Sequence, residues 1–452
     1  MPRILYWNVN NFTDVRINTS KRIKKDTDFD VSTAGPAHLD MIMDTIGDTT
    51  DPVTGLAATL DFIVIVEVWG RNTTPIEGQL IDGNGRTGCL NLLNQFNANL
   101  TGNWSLVPLV VTATDGEREG IAVFYRRDLW YFLGPSTWPA AYPPAWAGAL
   151  PARAIPGGYP YRGGAMENRS AGQWTFTKRM PPGFVGPAPL VYFPGAENRK
   201  PWLTAFGAVG NPANLVRIAA VHTKPNGYFI DYANDGTKAM ADAYDLTSRP
   251  ADALNQIDVI LGDFNVDNLV AGNFAGAGPF GRLLGLGVNP VAPPYTALVR
   301  PPALLNPNYN SYYHTHGHPT SATFLERNAR IIDEDAMVPP YWLGEYPGRE
   351  YSNLSIDNAL VRYLGGALPP ANANMSILAR AQDVPYNAPV GPPPVMPMLG
   401  HYQNGYWMDE SMDDIHAMAP DFNYDLNERF REFDNYGLVY SVSDHFALLF
   451  DV

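Results

Sequence analysis

Short runs of apolar residues, each ending beside polar residues or a glycine, recur from one end of the chain to the other. Each run is about five to seven residues long and rich in Ile, Val, Leu and Phe, which is typical of buried β-strands. The runs predict core strands at Arg3–Trp7, Asp61–Val66, Gly120–Tyr125, Leu215–Val221, Ile257–Leu261, Ile356–Val361 and Phe446–Val452.

Other stretches repeat their apolar residues at spacings of three and four, which is the period of an amphipathic helix. These stretches predict helices at His38–Ile46, Cys89–Ala98, Lys238–Leu246 and Phe280–Leu284. Because strands and helices mix along the whole chain, the pattern favours a layered α/β or α+β architecture and disfavours an all-β fold.

Three regions interrupt this pattern: residues about 134–198, 287–352 and 364–435, the last two only in part. They are rich in Pro and Gly, which break helices and strands, so we expect long loops laid over a scaffold. No boundary marks a point at which the strand pattern restarts. We therefore predict a single domain over residues 1–452 that carries three insertions.

The composition fits a globular protein whose charge is predominantly negative. Hydrophobic residues make up 45% of the 452 residues and charged residues 17%, which excludes a disordered chain. The formal net charge is −14, so the molecule as a whole repels nucleic acid and anionic lipid. A polyanion would have to bind locally, and carboxylates that hold a divalent cation would reverse the local field.

The single cysteine, Cys89, excludes an intramolecular disulfide and favours a reducing compartment. The apolar run at the N-terminus is too short for a secretory signal, and no run of about 18 apolar residues predicts a transmembrane segment. We therefore expect a protein of the cytoplasm or of another intracellular compartment.

Polar residues with catalytic potential stand where several predicted strands end. Asp263 and Asn265 follow the strand that ends at Gly262, and their spacing of two lets both side chains emerge on the same side. A carboxylate there can orient a water and an amide can hold a phosphoryl oxygen. An ordinary Asx turn after a strand would give the same pattern.

The same theme recurs at three other predicted strands. Glu67 and Asn8 each follow an unbroken apolar run, and burial of the Glu67 carboxylate would be costly without a cation or a donor nearby. Ser443-Asp444-His445 stands directly before the last strand, which places a carboxylate and an imidazole side by side.

Taken in this order, the segments resemble the endonuclease/exonuclease/phosphatase family. Asn8, Glu67 within Ile65-Val66-Glu67-Val68, Gly262-Asp263-Phe264-Asn265 and Ser443-Asp444-His445 carry the resemblance. It covers a scaffold of about 270 residues at the family's usual domain size and leaves the Pro-rich loops outside. It implies an α/β (α+β) two-layer β-sandwich flanked by helices, with the active site at one rim.

Within that family the chain is most similar to deoxyribonuclease I and the nuclease subunit of the cytolethal distending toxin. Val221-His222-Thr223-Lys224-Pro225 looks like their histidine segment, and the resemblance makes Glu119 the acid that orients His222. It makes Asp357 the acid partner of His445. Substrate contacts are implied for Arg199, Arg126 and Asn10.

Two histidines with acid partners suit phosphodiester hydrolysis, which needs an activated water, a donor to the leaving oxygen and positive charge on the phosphoryl oxygens. The resemblance assigns the catalytic roles to His222, His445, Asp263, Asn265, Asp357 and Glu119. It assigns metal binding to Asn8, Glu67 and Asp444. Such oxygen ligands suit Mg²⁺, with Mn²⁺ or Ca²⁺ as alternatives, and not Zn²⁺.

The leading functional prediction is a metal-dependent endonuclease that acts on DNA and also on RNA if the site accepts it. Asn358 and Trp69 depart from the basic or aromatic groove contacts of the nucleases it resembles, which puts direct groove contacts in doubt. An alternative is therefore a phosphoinositide phosphatase or a sphingomyelinase-type enzyme that binds a phospholipid headgroup through the aromatic loop Trp138–Trp146. A third is an inactive scaffold with this fold.

Overall fold

A computed structural model describes two large β-sheets and the segments packed against them. The described residues are 2–14, 39, 42, 43, 46, 59–70, 81, 83–107, 109–113, 119–133, 176–181, 183–194, 199–226, 230–248, 254–268, 270–299, 315–319, 351–367, 375–379, 382–385, 401–403, 406–408, 443, 445 and 447–452.

The first sheet has seven strands. In spatial order they are β14 (Gln382–Pro385), β13 (Met375–Ala379), β17 (Ala447–Asp451), β1 (Arg3–Phe12), β2 (Phe62–Trp69), β4 (Glu119–Arg126) and β3 (Trp104–Leu106).

The second sheet has six strands. In spatial order they are β5 (Trp130–Phe132), β6 (Trp202–Ala208), β7 (Asn211–His222), β8 (Asn255–Asp263), β12 (Asp357–Gly365) and β9 (Thr296–Ala297). In each sheet one central pair is parallel, β1 with β2 and β7 with β8, and the other pairs are antiparallel.

Smaller elements complete the described part of the chain. They are the hairpins β10 (His316–Pro319) with β11 (Tyr351–Leu354) and β15 (His401–Gln403) with β16 (Tyr406–Met408), the helices α1 (Asn84–Asn99), α2 (Tyr232–Met240) and α3 (Tyr244–Thr247), and a 3₁₀ turn at Ala271–Phe274.

Both faces of the first sheet are buried, which explains why its strands read as unbroken apolar runs. In β1, Ile4 and Tyr6 belong to the core shared with the second sheet, whereas Leu5 and Trp7 belong to a core that includes Phe96 of α1. Successive side chains of a strand point to opposite faces, so one short run supplies both cores. The predicted two-layer β-sandwich is confirmed.

The seven predicted core strands are all present, as β1, β2, β4, β7, β8, β12 and β17. The helix predicted at Cys89–Ala98 lies within α1. The helix predicted at Lys238–Leu246 is wrong in its bounds, because a turn at Ala241 and Asp242 and a β-bridge of Ala243 with Lys178 separate α2 from α3. The stretch Phe280–Leu284 forms turns and no helix.

The regions predicted as insertions contribute to the sandwich where they are described. β13 and β14, from the region 364–435, pair with each other and join the first sheet through β17. Phe176 and Phe193, from the region 134–198, lie in the core between the sheets.

The aromatic loop Trp138–Trp146 lies outside the described residues, and the single-domain organisation stays a prediction. Within the described residues, no helix is long and apolar enough to cross a membrane.

Candidate active site at the rim of the sandwich

Strand register brings polar residues of both sheets to one rim. In the second sheet, Asp263 is the direct partner of His222 on β7 and of Asp357 on β12. In the first sheet, Trp69 near Glu67 pairs with Glu119, so the end of β2 meets the beginning of β4. The rim is therefore formed by the ends of β1, β2, β7 and β8 and by the beginnings of β4, β12 and β17.

Irregular backbone in the first sheet sets the position of Glu67. The pairing of β2 with β4 shifts between Ile65 and Val68, and the pairing of β1 with β2 shifts after Asn8. Glu67 itself has a φ of 58°, which a residue with a Cβ rarely adopts. Bulges redirect a side chain at the end of a strand. Here the Glu67 side chain reaches Asn8, whose Nδ2 donates to Glu67 Oε1 at 3.0 Å.

Asp263 is held by a tight turn at the end of β8. The backbone N–H of Asn265 donates to Asp263 Oδ1 at 2.8 Å, which is the geometry of an Asx turn. The turn leaves Oδ2 facing the rim, 3.6 Å from Nε2 of His222 and 3.7 Å from Nε2 of His445. The turn and the functional interpretation therefore coexist, because each uses a different oxygen of the carboxylate.

The Asn265 amide is bonded to the backbone of the residue that follows His222. Its Nδ2 donates to the carbonyl oxygen of Thr223 at 2.8 Å. The residue has a φ of 49°, in the left-handed region that Asn tolerates better than most residues.

His445 is fixed from both sides of its ring. Its Nδ1 lies 2.8 Å from Asp357 Oδ2, and its Nε2 lies 3.2 Å from Asn8 Nδ2. Because the Asn8 amide nitrogen can only donate, this arrangement favours the tautomer with the proton on Nδ1. The backbone carbonyl of His445 accepts a hydrogen bond from Trp7 Nε1 at 2.8 Å, and its N–H donates to Ser443 Oγ at 2.9 Å.

The second oxygen of Asp357 has a partner that the sequence did not indicate. The hydroxyl of Tyr6 donates to Asp357 Oδ1 at 2.7 Å, and both residues are fully buried. Burial, followed by the negative charge of Asp357, raises the pKa of Tyr6 well above its usual value. The hydroxyl thus keeps its proton and stays a donor.

His222 has its own acid partner in the first sheet. Its Nδ1 lies 3.0 Å from Glu119 Oε1, and its Nε2 lies 3.5 Å from Glu67 Oε1. Burial would lower the pKa of His222, and so would the neighbouring Arg199, but the carboxylates of Glu119 and Glu67 together outweigh both and the pKa rises to about 9. The same attraction overcomes burial at Glu119 and lowers the pKa of its carboxyl. At neutral pH the pair is therefore an imidazolium and a carboxylate.

A guanidinium lies against this pair. Arg199 NH1 lies 3.2 Å from Glu119 Oε1 and 3.2 Å from Nε2 of His222.

Burial raises the pKa of Asp263 to about 7, with Asp357 adding to the shift and the two histidines opposing it. The charge in the cluster is therefore uneven, with the cations His222 and Arg199 beside Glu119 and the carboxyl groups of Glu67 and Asp263 beside Asn8.

The donor set fits a hard divalent cation. Asn8 and Glu67 offer oxygen ligands, and the Oδ1 atom of Asn8 is buried and accepts no hydrogen bond from the described residues. Asp263, Asp357 and His445 form a second group that could hold a metal, with one possible ligand atom of each within 4.8 Å of the others. Asp444 lies outside the described residues, so its predicted role as a ligand remains a prediction.

One of the predicted substrate contacts, Arg126, is not brought to this cluster. Arg126 lies at the end of β4 opposite to Glu119, about 23 Å away at about 3.3 Å per residue. It pairs there with Asp128, NH2 to Oδ2 at 2.5 Å. Because the strand continues unbroken from Glu119 to Arg126, the two residues lie at its opposite ends. Asn10 lies in β1, and its side chain is not among the described ones.

Sequence reasoning missed the groups that support Asp357. The hydroxyl of Thr315 accepts hydrogen bonds from the backbone N–H of Ile356 and of Asp357, at 3.0 and 2.9 Å. The Asn268 side chain donates to the Asp357 carbonyl at 2.8 Å and accepts from Asn358 Nδ2 at 2.7 Å. Asn358 is thus buried within the scaffold and does not face a groove. Thr315 lies 42 residues from Asp357 along the chain, so spacing gave no signal.

No family model and no curated protein matches the chain. Among solved structures, the chain is similar to D. rerio TDP2 complexed with a single-strand DNA product, at 9% identity over 99% of this chain and 97% of that one, with a TM-score of 0.39. It is similar to beta toxin from Staphylococcus aureus, at 11% identity over 100% and 99%, with a TM-score of 0.38. A third match is an endonuclease/exonuclease/phosphatase family protein from Leptotrichia buccalis, at 12% identity over 59% and 67%, with a TM-score of 0.28.

The chain's own sheet order and strand register define its fold. Two mixed sheets pack face to face, and the register of β7, β8 and β12 gathers His222, Asp263 and Asp357 at one rim. The chain therefore has a two-layer β-sandwich fold with a cluster of polar residues at one rim.

Proposed function

We propose that this protein is a divalent-metal-dependent phosphodiesterase that hydrolyses nucleic acid, with DNA as the first substrate and RNA as a further one. One observation carries the proposal: two histidines, each with its own acid partner, face the same carboxylate oxygen. His222 and His445 lie 3.6 and 3.7 Å from Asp263 Oδ2 through their Nε2 atoms. A phosphodiester seated there would meet groups for each proton transfer.

His445 and Asp357 supply the base in this proposal. With Nδ1–H directed to Asp357, Nε2 of His445 is the acceptor that takes a proton from the attacking water. Asp263 Oδ2 lies close enough to orient the same water. The Asp357 carboxylate stabilises the imidazolium that results, because it lies 2.8 Å from Nδ1.

His222 and Glu119 supply the acid. The imidazolium of His222 can donate its Nε2 proton to the leaving oxygen, since Nδ1 is bonded to Glu119. Arg199 adds positive charge beside the same ring, within reach of a phosphoryl oxygen. The two histidines thus have opposite roles that follow from their different surroundings.

Asn8 and Glu67 would hold the metal ion, with Asp444 as the further ligand that the sequence predicts. When bound, a divalent cation stabilises negative charge on the phosphoryl oxygens. Mg²⁺ suits these oxygen ligands, and Mn²⁺ or Ca²⁺ would fit the same set. We favour this side over the group at Asp263, Asp357 and His445, because Asp357 and Nδ1 of His445 already share a hydrogen bond.

A nucleic-acid substrate is the leading choice because a diester flanked by further phosphates suits the cationic side of the rim at Arg199 and His222. The proposal includes the closer resemblance of this chain to deoxyribonuclease I. That resemblance implies products with a 5′-phosphate and a 3′-hydroxyl. The lipid alternative depends on the aromatic loop Trp138–Trp146, and no contact of a described residue favours it.

A nuclease assay with a metal series tests the proposal. Supercoiled plasmid is incubated with the protein and Mg²⁺, Mn²⁺ or Ca²⁺, and vesicles of sphingomyelin or phosphoinositide are incubated in parallel. We expect nicking that needs a divalent cation and that His445→Ala abolishes. Plasmid conversion no faster than with His445→Ala, under every metal, would exclude a nuclease. Release of phosphocholine or phosphate from vesicles would instead support the lipid alternative.

A further inference from the structure

Tyr6 connects the two sheets at the rim. It lies on β1, paired with Val64 on one side and Leu448 on the other, and its ring is part of the core shared by the sheets. Its hydroxyl crosses to the second sheet and donates to Asp357 Oδ1 at 2.7 Å. The two residues are 351 positions apart in the chain.

The backbone of Asp357 is held without any help from Tyr6. Its N–H donates to Thr315 Oγ1 at 2.9 Å, and its carbonyl accepts from Asn268 Nδ2 at 2.8 Å. These backbone contacts do not fix the carboxylate group, because the last torsion of an Asp side chain has a broad, roughly two-fold distribution. Two hydrogen bonds fix it here, one from Tyr6 to Oδ1 and one from His445 to Oδ2.

We propose that Tyr6 is a positioning residue, whose hydroxyl fixes the plane of the Asp357 carboxylate and, through it, the ring orientation and the Nδ1–H tautomer of His445. The role rests on the proposed function, in which Nε2 of His445 accepts a proton. Without the hydroxyl, Oδ1 of Asp357 would be buried without that donor, and the carboxylate could rotate away from Nδ1. His445 would then populate the other tautomer, whose Nε2 carries a proton and cannot act as a base.

The test compares Tyr6→Phe with Tyr125→Phe. Both remove one buried hydroxyl and leave the ring in the same core cluster, but Tyr125 pairs with Phe62 near the end of β4 that is remote from the rim. Three quantities are measured for each variant: kcat and KM on a DNA substrate, the melting temperature, and the ¹⁵N chemical shifts of the His445 ring at a fixed pH without metal.

We expect Tyr6→Phe to lower kcat by about tenfold or more, the scale of a lost hydrogen bond to a charged group, with KM within about twofold. The ¹⁵N shifts should change from one tautomer to a mixture. Tyr125→Phe should change neither kcat nor the tautomer. A Tyr6→Phe protein with unchanged kcat and a single Nδ1–H tautomer would overturn the proposal, and so would an equal change in both variants.

The NMR comparison separates this inference from the proposed function. If the wild-type protein cleaves no phosphodiester, the proposed function fails, yet the ¹⁵N shifts of His445 still report whether the Tyr6 hydroxyl sets its tautomer. If the wild-type protein cleaves DNA and the shifts of Tyr6→Phe equal those of the wild type, the positioning role alone is wrong.

Discussion

Glu119 Oε1 lies 3.0 Å from Nδ1 of His222, although the two residues belong to different sheets. The contact closes the sandwich at the rim and keeps the imidazole charged, with a pKa of about 9. Replacing Glu119 by Gln removes the negative charge and retains the shape. Burial would then lower the pKa of His222, and the ring would lose the proton that it donates.

We therefore expect Glu119→Gln to lower kcat by about 10²-fold, the usual scale for a lost acid–base group. Steady-state kinetics on a DNA substrate measure the effect. Asp451→Asn is the matched control, because it breaks an ion pair to Arg3 (Nε to Oδ1, 2.7 Å) at the other end of β1. Equal losses in the two variants would show that Glu119 acts only through stability.

The proposed metal site can be tested without measuring activity. Glu67 has the strained φ of 58° and lies 3.0 Å from the Asn8 amide, so its carboxylate is held in place before any ion binds. We expect Glu67→Gln to weaken Mn²⁺ binding by at least about tenfold, measured by isothermal titration calorimetry, because the amide lacks the charge that a hard cation requires. Glu119→Gln should weaken Mn²⁺ binding much less, because the Glu119 carboxylate of the wild type faces His222 and Arg199. An unchanged affinity in Glu67→Gln would place the ion elsewhere.

The parallel pair β7 and β8 depends on a glycine beside Asp263. Gly262 has a φ of 146°, and a Cβ at this position would lie 2.0 Å from the carbonyl oxygen of Val221. Gly262→Ala should therefore push the strands apart where His222 faces Asp263. We expect a loss of more than about 1 kcal/mol in the free energy of unfolding and a fall in kcat.

Gly272→Ala is the control for that substitution, since nothing lies within 4 Å of the Cβ that it would add. Thermal unfolding followed by circular dichroism compares the two variants with the wild type. Equal melting temperatures for Gly262→Ala and Gly272→Ala would show that a Cβ at position 262 causes no clash with Val221.

The parts of the site that could be predicted from the sequence are those in which a polar residue ends an apolar run. Asp263 is an example, because burial on both faces produces an unbroken apolar strand and the polar residues follow where the strand ends, whereas His222 was predicted from the family resemblance. The same pattern identified Asn8 and Glu67, but not the bulges that bring them together. A bulge is a local shift of register against a partner strand, and one strand's sequence does not encode its partner.

Contacts between distant segments could be predicted only where the family resemblance supplied them, as for Glu119 with His222 and Asp357 with His445. In the sequence, Tyr6 could not be distinguished from the apolar residues of β1. Its ring lies in the core as theirs do, and only its hydroxyl reaches Asp357. The helix around Lys238 was misplaced for a related reason. Met240 and Leu246 both pack into the core, so the apolar period continues through the segment that separates α2 from α3.

A buried ion cluster below the rim leads to a prediction about pH. Asp258 Oδ1 lies 2.7 Å from Nε of Arg217, and its other oxygen accepts hydrogen bonds from Arg362, with all three side chains almost fully buried. Burial would raise the pKa of Asp258, but the two guanidinium groups outweigh it and the pKa is lowered. A lowered pKa in the folded state means that the carboxylate stabilises the fold above about pH 4, the value in an unfolded chain. This contribution is lost as the pH falls through the folded-state value.

We expect Asp258→Asn to lower the free energy of unfolding at pH 7 by about 3–5 kcal/mol, because it leaves two buried cations without their counterion. The variant should also lose less stability than the wild type on acidification below about pH 4. Urea unfolding at a series of pH values measures both effects. Asp128→Asn, which breaks a partly exposed pair with Arg126, should cost less than about 1 kcal/mol. Parallel pH curves for Asp258→Asn and the wild type would contradict the assignment.

Arg199 and Arg126 were both predicted to contact substrate, and their positions now separate them. Arg199 NH1 lies 3.2 Å from Nε2 of His222, whereas Arg126 is paired with Asp128 at the far end of β4. Lys preserves the charge of either residue but loses the planar fork that binds two phosphate oxygens at once. We expect Arg199→Lys to raise KM for DNA by about tenfold, the scale of one lost charged hydrogen bond, and Arg126→Lys to leave KM unchanged. Initial rates over a range of DNA concentrations give the KM of each variant. If KM rises equally in both variants, neither residue reports a phosphate contact at the rim.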